Sequence, residues 1–202
     1  RVLDRSGRGN HASQATSTAR GKVSAAVVSP PTRPYYLRLD GTDDFYTCGG
    51  GGSTTGFYYA DVIRPMGGAG TSRFLMSDRT TGNVGIMLSI NALNKLELSV
   101  GNTTTYVRVS STETLDVGTD YWIEALDDGV NLQVRINNGT PVSVPRPTPT
   151  AGGSTMMLYK HIPGNGAIYN GRTTEPIYRA GPPPSAYERE VIRNYQMQKA
   201  GL

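Results

Sequence analysis

From Tyr35 onward, apolar and polar positions alternate with a period of two. In "YYLRL", Tyr35, Leu37 and Leu39 oppose Tyr36 and Arg38, and the Asp-Gly that follows supplies turn chemistry. "GFYYADVIRP", closed by Pro65, and "SRFLMSD" read as the next strands, followed by "VGIMLSI", "NKLELSV" and "TYVRVSS". In that group Leu96, Leu98 and Val100 face one way and Glu97 and Ser99 the other, the signature of a half-buried strand. "DYWIEAL" and "NLQVRI" are separated by the hairpin turn Asp127-Asp128-Gly129, and Asn137-Asn138-Gly139 turns the chain again into "TPVSV". "TMMLYK" and Glu175 to Arg179 complete the strands, and an earlier one is expected in "KVSAAVVS", where Val23, Ala25 and Val27 alternate. "GGGGS", Gly49 to Ser53, has no side chains to pack and is expected to be a mobile loop, and "PRPTPTAGGS" a second loop.

The periodicity changes only at the end, where a helix is predicted from Ser185 to about Ala200. Ser185 and Glu188 have capping-box spacing, three prolines precede them, and Gly201 follows the last turn. Tyr187, Val191, Ile192 and Tyr195 form an apolar stripe expected to lie on the outside of a sandwich. About ten strands with regular turns, one terminal helix and no βαβ order predict an all-β fold, an antiparallel β-sandwich jelly roll. A chain of 202 residues suits one such domain. The expected division is an N-terminal arm with the first edge strand over 1–34, then a sandwich over 35–202 closed by a helix at 185–200.

Composition sharpens this picture in one respect: 25 Gly and 13 Pro with 18% charged residues favour short strands and tight turns over a helical bundle. The net charge is +4, with Arg1, Arg5, Arg8, Arg20, Lys22, Arg33 and Arg38 tilting the N-terminal part basic. That charge is too dilute, and too poorly interleaved with aromatics, to predict nucleic-acid binding. Cys48 is the single cysteine, which excludes an intrachain disulfide and a multi-cysteine zinc site. No apolar run approaches the ~20 residues of a membrane helix, so no membrane insertion is expected. The chain begins without Met and shows no signal-peptide pattern at Arg1, as expected of a fragment or a processed product.

Four stretches, in order, resemble a known group of proteins. "DRSGRGNHASQATSTAR", Asp4 to Arg20, is similar to an Asp-x-Ser-Gly-x-Gly-Asn-His-Ala leader. "YLRLDGTDDFY", Tyr36 to Tyr46, resembles the first core strand of concanavalin A-like, laminin G-like jelly-roll domains. "EALDDGVNLQVRINNGTPVS" resembles the paired turns of that fold, and "PPSAYEREVIRNYQMQKAGL" the closing helix that follows it in tailed-bacteriophage structural proteins. The resemblance implies a jelly roll in a virion appendage: a tail fibre, tail tip or head decoration. The connection "ARGKVSAAVVSPPTRPYY" is longer than the family's usual Arg-Pro link.

Individual residues assign little chemistry. Asp40, Asp43 and Asp44 around Gly41 could serve a hard cation, but a turn is the preferred reading because no second acidic cluster lies close in sequence. Glycoside hydrolysis needs paired carboxyls. The Glu-x-Asp-x-x-Glu strand motif of this fold's glucanases is absent, and Glu124 with Asp127 and Asp128 is the nearest set. Glu188 and Glu190 complement the helix dipole. His11 is expected to anchor the arm, His161 to be exposed, and Cys48 to act as a small apolar residue at a sheet rim. Tyr58, Tyr59, Tyr106 and Tyr169 are candidates for exposed, sugar-stacking rings, but core or subunit-contact roles are the preferred reading, and Trp122 is expected in the core. The sequons at Asn102 and Asn138 carry no weight in a bacterial host. No catalytic, cofactor-binding or metal-ligating residue is assigned, and no cofactor is expected.

The leading functional expectation is therefore a non-enzymatic virion structural protein whose arm docks on other virion proteins. A homo-oligomer is expected, with a trimer as the usual arrangement for a fibre. The alternative is a carbohydrate-binding, receptor-recognition module contacting host surface glycans. A polysaccharide depolymerase is the third reading.

Overall fold

The computed structural model describes residues 14–17, 20, 22–24, 36–49, 55–68, 70–79, 83–148, 155–160 and 168–202. These contain the strands β1 (Lys22–Ser24), β2 (Tyr36–Asp40), β3 (Tyr46–Gly49), β4 (Phe57–Pro65), β5 (Arg73–Ser77), β6 (Asn83–Ile90) and β7 (Leu96–Thr103). They continue with β8 (Tyr106–Ser110), β9 (Tyr121–Asp127), β10 (Asn131–Ile136), β11 (Val142–Pro145), β12 (Thr155–Leu158), β13 (Asn170–Thr173) and β14 (Ile177–Ala180), before helix α1 (Ala186–Ala200). An eight-stranded antiparallel sheet runs β1-β2-β13-β4-β9-β10-β11, with β14 also paired to β4. A six-stranded sheet runs β3-β12-β5-β6-β7-β8 and stacks on it, forming the expected β-sandwich.

The alternating strands behave as their pattern dictates. Leu96, Leu98 and Val100 enter the inter-sheet core with Ile86, Leu88, Ile90 and Val109, as do Leu132, Val134 and Ile136 of the opposite sheet. β4 reads as a nearly continuous apolar run because both its faces are covered. Phe57, Tyr59 and Ile63 point between the sheets, while Tyr58, Ala60 and Val62 join Trp122 and Leu126 beneath α1. Trp122 is thus fully buried, though in the layer under the helix instead of the inter-sheet core.

Two strands escape the sequence pattern, β3 ("YTCG") and β13 ("NGRT"). Both are short and polar, and they exist because neighbouring edges supply hydrogen-bonding partners. β3 pairs with β12, and β13 fills the gap between β2 and β4. The last predicted strand lies at Ile177–Ala180, two residues later than expected. The leader before Gln14, His11, Ala25, Val27, "SPPTRP", Gly50 to Ser53, the loop over 149–154 and His161 lie outside the described residues. Within the leader, Gln14 is buried and its Nε2 donates to Phe45 O (3.1 Å), which ties Gln14 to its own chain beside β3.

α1 starts at the predicted capping box. Glu188 N donates to Ser185 Oγ (3.3 Å) while Ser185 N donates to Glu188 Oε2 (2.8 Å), and Gly201 closes the helix in the left-handed conformation. Its seat differs from expectation. Gln196 and Ala200 face the sheet, flanked by Ile192 and Met197, whereas Tyr187 (79% exposed), Val191 (50%) and Tyr195 (42%) face solvent. The predicted stripe is displaced because polar side chains anchor the helix: Gln196 Nε2 donates to Ala60 O (3.0 Å) and Glu175 O (2.8 Å). Replacing Ser185 by Ala should lower stability by ~1 kcal/mol through loss of the cap, measured by urea denaturation. Among the described residues no helix is long and apolar enough to cross a membrane.

Candidate functional site

On the outer face of the six-stranded sheet, the strands present small and polar residues opposite one another. Gly85 pairs with Gly101, Met87 with Ser99 and Ser89 with Glu97, while β8 sets Tyr106 against Gly101 and Arg108 against Ser99. Because facing residues share a side, the period-two pattern that buries Leu98 and Val100 brings this polar set together. The facing glycines leave the floor without side chains. The result is a shallow depression, open to solvent, lined by Arg79, Gly85, Met87, Ser99, Gly101 and Tyr106. It encloses room for only about one water molecule, so a ligand here would lie against the surface instead of being enclosed.

Charged groups frame this depression. Two guanidinium groups lie over the Tyr106 ring, with Arg108 Cζ 4.2 Å and Arg79 Cζ 5.7 Å from its centroid. Arg108 also donates to the Tyr106 hydroxyl and lies 3.7 Å from Glu97. Glu97 in turn accepts from Ser110 Oγ and Asn91 Nδ2, both at 3.0 Å. The Ser99 hydroxyl is buried in the floor with no hydrogen-bond partner among the described residues. The face therefore offers donors, a carboxylate acceptor and an aromatic ring within one patch. Stacking on Tyr106 limits the freedom of Arg108, so less entropy is lost when it binds.

Of the other sequence candidates, most are occupied in holding the fold. Tyr58, Tyr59 and Tyr169 are fully buried, the core role preferred over exposed, sugar-stacking rings, because both faces of β4 are covered and Tyr169 packs in the core beside Tyr159. Tyr106 alone of the four candidates is partly exposed. The Asp40–Asp44 segment is built as a turn. Asp44 Oδ2 accepts from Asp40 N and Asp40 Oδ1 from Thr42 N, both at 2.8 Å, and Gly41 at φ +78° lies so close to Asn170 that a Cβ would fall 2.6 Å from its Cβ. One carboxylate oxygen each from Asp40, Asp43 and Asp44 lies within 4.8 Å of the others, and burial raises the Asp44 pKa.

The carboxylates weighed for hydrolysis are likewise engaged. Glu124 is buried against Arg135 (3.2 Å) and Arg189 (3.3 Å), and desolvation raises its pKa despite both partners. Asp127 is paired with Arg146 (2.7 Å), and Asp128 Oδ1 accepts from the turn amides of Val130 and Asn131. Glu188 serves the cap, and Glu190 pairs with Arg193 (2.7 Å). Cys48 is half-buried in β3 against the core, its thiol pushed up to about 11 by desolvation. Arg79, Glu97, Ser99 and Arg108 were not singled out from the sequence. Their only signal there is the polar half of alternating strands, which ordinary solvent-facing residues share.

No protein-family model matches the chain, and no curated protein is significantly similar to it in sequence. In fold it is similar to the botulinum neurotoxin serotype C1 binding domain (13% identity, TM-score 0.66), matching 96% of this chain and 49% of that one. It is similar also to botulinum neurotoxin type C, which depends on interaction with two ganglioside molecules to enter cells (14% identity, TM-score 0.66, 96% of this chain and 48% of that one). A third likeness is to the binding domain of botulinum neurotoxin DC in complex with SialylT (12% identity, TM-score 0.62, 88% and 45%). The chain spans about half the length of these structures. At such identities the likeness establishes the β-sandwich class, a jelly roll shared with toxin binding domains.

Proposed function

We propose that this protein is a non-enzymatic carbohydrate-binding module that recognises a surface glycan through the depression on the six-stranded sheet. The observation that carries the reading is Tyr106 with Arg79 and Arg108 beside it over a floor of Gly85, Gly101 and Ser99. A sugar ring needs donors and acceptors together with an apolar surface. Here the guanidinium groups donate, Glu97 accepts, and Met87 and Tyr106 offer apolar surface. Support comes from the neighbours of the same fold, which engage gangliosides and SialylT, while the paired and buried state of Glu124 and Asp127 weighs against hydrolysis.

A glycan array should show saturable binding to a restricted set of sugars, and a blank array overturns the reading. Arg108→Ala and Tyr106→Ala should each weaken binding about tenfold, the equivalent of one charge-assisted hydrogen bond, with unchanged thermal midpoints. Equal binding by both variants places the ligand elsewhere.

A virion appendage carrying such a module is the second reading. It rests on the leader and closing-helix resemblances, including the capped α1. Mass spectrometry of purified particles tests it: absence of the chain rejects the virion setting, while its copy number distinguishes tail from head decoration.

A further inference from the structure

On the opposite side of the sandwich, three arginines occupy directly facing positions on adjacent strands. Arg38 of β2 faces Arg172 of β13, which faces Arg64 of β4. The backbone register continues outward to Lys22 of β1, opposite Arg38. With strands ~4.8 Å apart, four positions span ~14 Å. Like charges placed directly opposite across strands destabilise a sheet, so this row is the reverse of what stability alone favours.

Among the described residues only part of that charge is offset. Arg64 forms a two-point pair with Asp120, which holds its guanidinium in place. Arg172 lies 5.8 Å over the Tyr36 ring, and its buried Nε has no hydrogen-bond partner among the described residues. Arg38 is exposed. The Tyr36 hydroxyl donates to Ala200 O (3.2 Å), fixing the last turn of α1 beside the row. A helix stands ~10 Å proud of the sheet it covers. A flat bilayer would therefore meet α1 before it met the arginines, whereas a single linear chain can lie along its foot.

We infer that the outer face of β2 and β13 is a second binding site, taking an extended polysaccharide that carries sulfate or phosphate esters across Arg38 and Arg172, with Arg64, already paired to Asp120, closing the row. Planar guanidinium forks match such oxyanions in two-point contacts. The row is separate from the Tyr106 depression, which lies on the other sheet, so this inference does not depend on that reading.

The test uses the whole chain with dextran sulfate, neutral dextran, phosphatidylserine vesicles and duplex DNA as probes. Dextran sulfate should bind and neutral dextran should not, with affinity falling as salt is raised because the contacts are exposed. Arg38→Ala should weaken dextran sulfate binding several-fold, and Arg38→Lys should restore part of it. Arg38→Ala with Arg172→Ala should weaken it about tenfold or more, the loss of at least one charge-assisted contact. Arg108→Ala should leave it unchanged, which separates this face from the glycan depression. Failure of the wild-type chain to bind, equal binding by Arg38→Ala, an equal loss in Arg108→Ala, or tighter binding to vesicles or DNA than to dextran sulfate overturns the inference.

Discussion

Trp122→Ala should destabilise the protein by ~3–5 kcal/mol, the range for truncating a large buried aromatic. Against a total of ~5–15 kcal/mol, that is enough to leave a substantial unfolded fraction at moderate temperature. The thermal midpoint should fall by roughly 10 °C for a domain of this size. The effect is large because Trp122 joins two layers. Its ring packs with Tyr58, Ala60, Val62 and Leu126 under α1, the Arg135 guanidinium lies 4.9 Å over its face, and its Nε1 donates to Gln196 Oε1 (2.9 Å). Removing it opens a cavity and strips Gln196 of one partner in a buried seam. Trp122→Phe should cost less, ~1–3 kcal/mol, since it keeps a ring but leaves the Gln196 oxygen unpaired. Urea denaturation of the three chains, followed in the far ultraviolet, checks the order. A Phe variant as damaged as the Ala variant would show that the hydrogen bond outweighs the packing.

The second large effect is a pH dependence centred on Asp61. This carboxyl sits between the sheets with no exposed surface; its Oδ2 accepts from Tyr59 (3.2 Å) and from Thr173, and its Oδ1 has no partner among the described residues. Desolvation drives its pKa up to about 7, against hydrogen bonds that lower it. A folded-state pKa above the unfolded value of 3.8 means that the folded chain holds the proton more tightly. The stabilisation is complete below pH ~4 and is lost as pH rises towards and through 7, by up to about 4 kcal/mol at 1.36 kcal/mol per pKa unit. Glu124, also raised by burial, acts in the same direction, so Asp61 is isolated by difference. The unfolding free energy of wild type minus that of Asp61→Asn should fall between pH 4 and 8. A flat difference would show that Asp61 loses its proton at the same pH in the folded and the unfolded chain, so that burial does not raise its pKa.

The β-sandwich was legible because its signal is local. The alternation of Leu96, Leu98 and Val100 against Glu97 and Ser99 specifies a strand with one wet face wherever that strand lies. The Ser185–Glu188 box is equally local, since both partners lie within one turn of helix. The seat of α1 was not legible, because Gln196 anchors it to carbonyls at Ala60 and Glu175, far away in the chain. Tyr58, Tyr59 and Tyr169 could be placed only as a preference for a related reason: a tyrosine can pack in a core or stack on a ligand, and only the layer above it decides.

The candidate sites follow the same division. Tyr106 was visible as one aromatic among several, but its guanidinium neighbours and glycine floor depend on the register of β6, β7 and β8. The arginine row is still less local. Arg38, Arg64 and Arg172 are scattered through the chain and become neighbours only because β13 inserts between β2 and β4. By itself the amino-acid sequence determined which residues alternate, where the chain turns and where its last helix is capped, since those preferences act over a few residues. Tertiary structure alone decided which faces are covered and which distant charges stand side by side, because pairing and burial are properties of the assembled sheets.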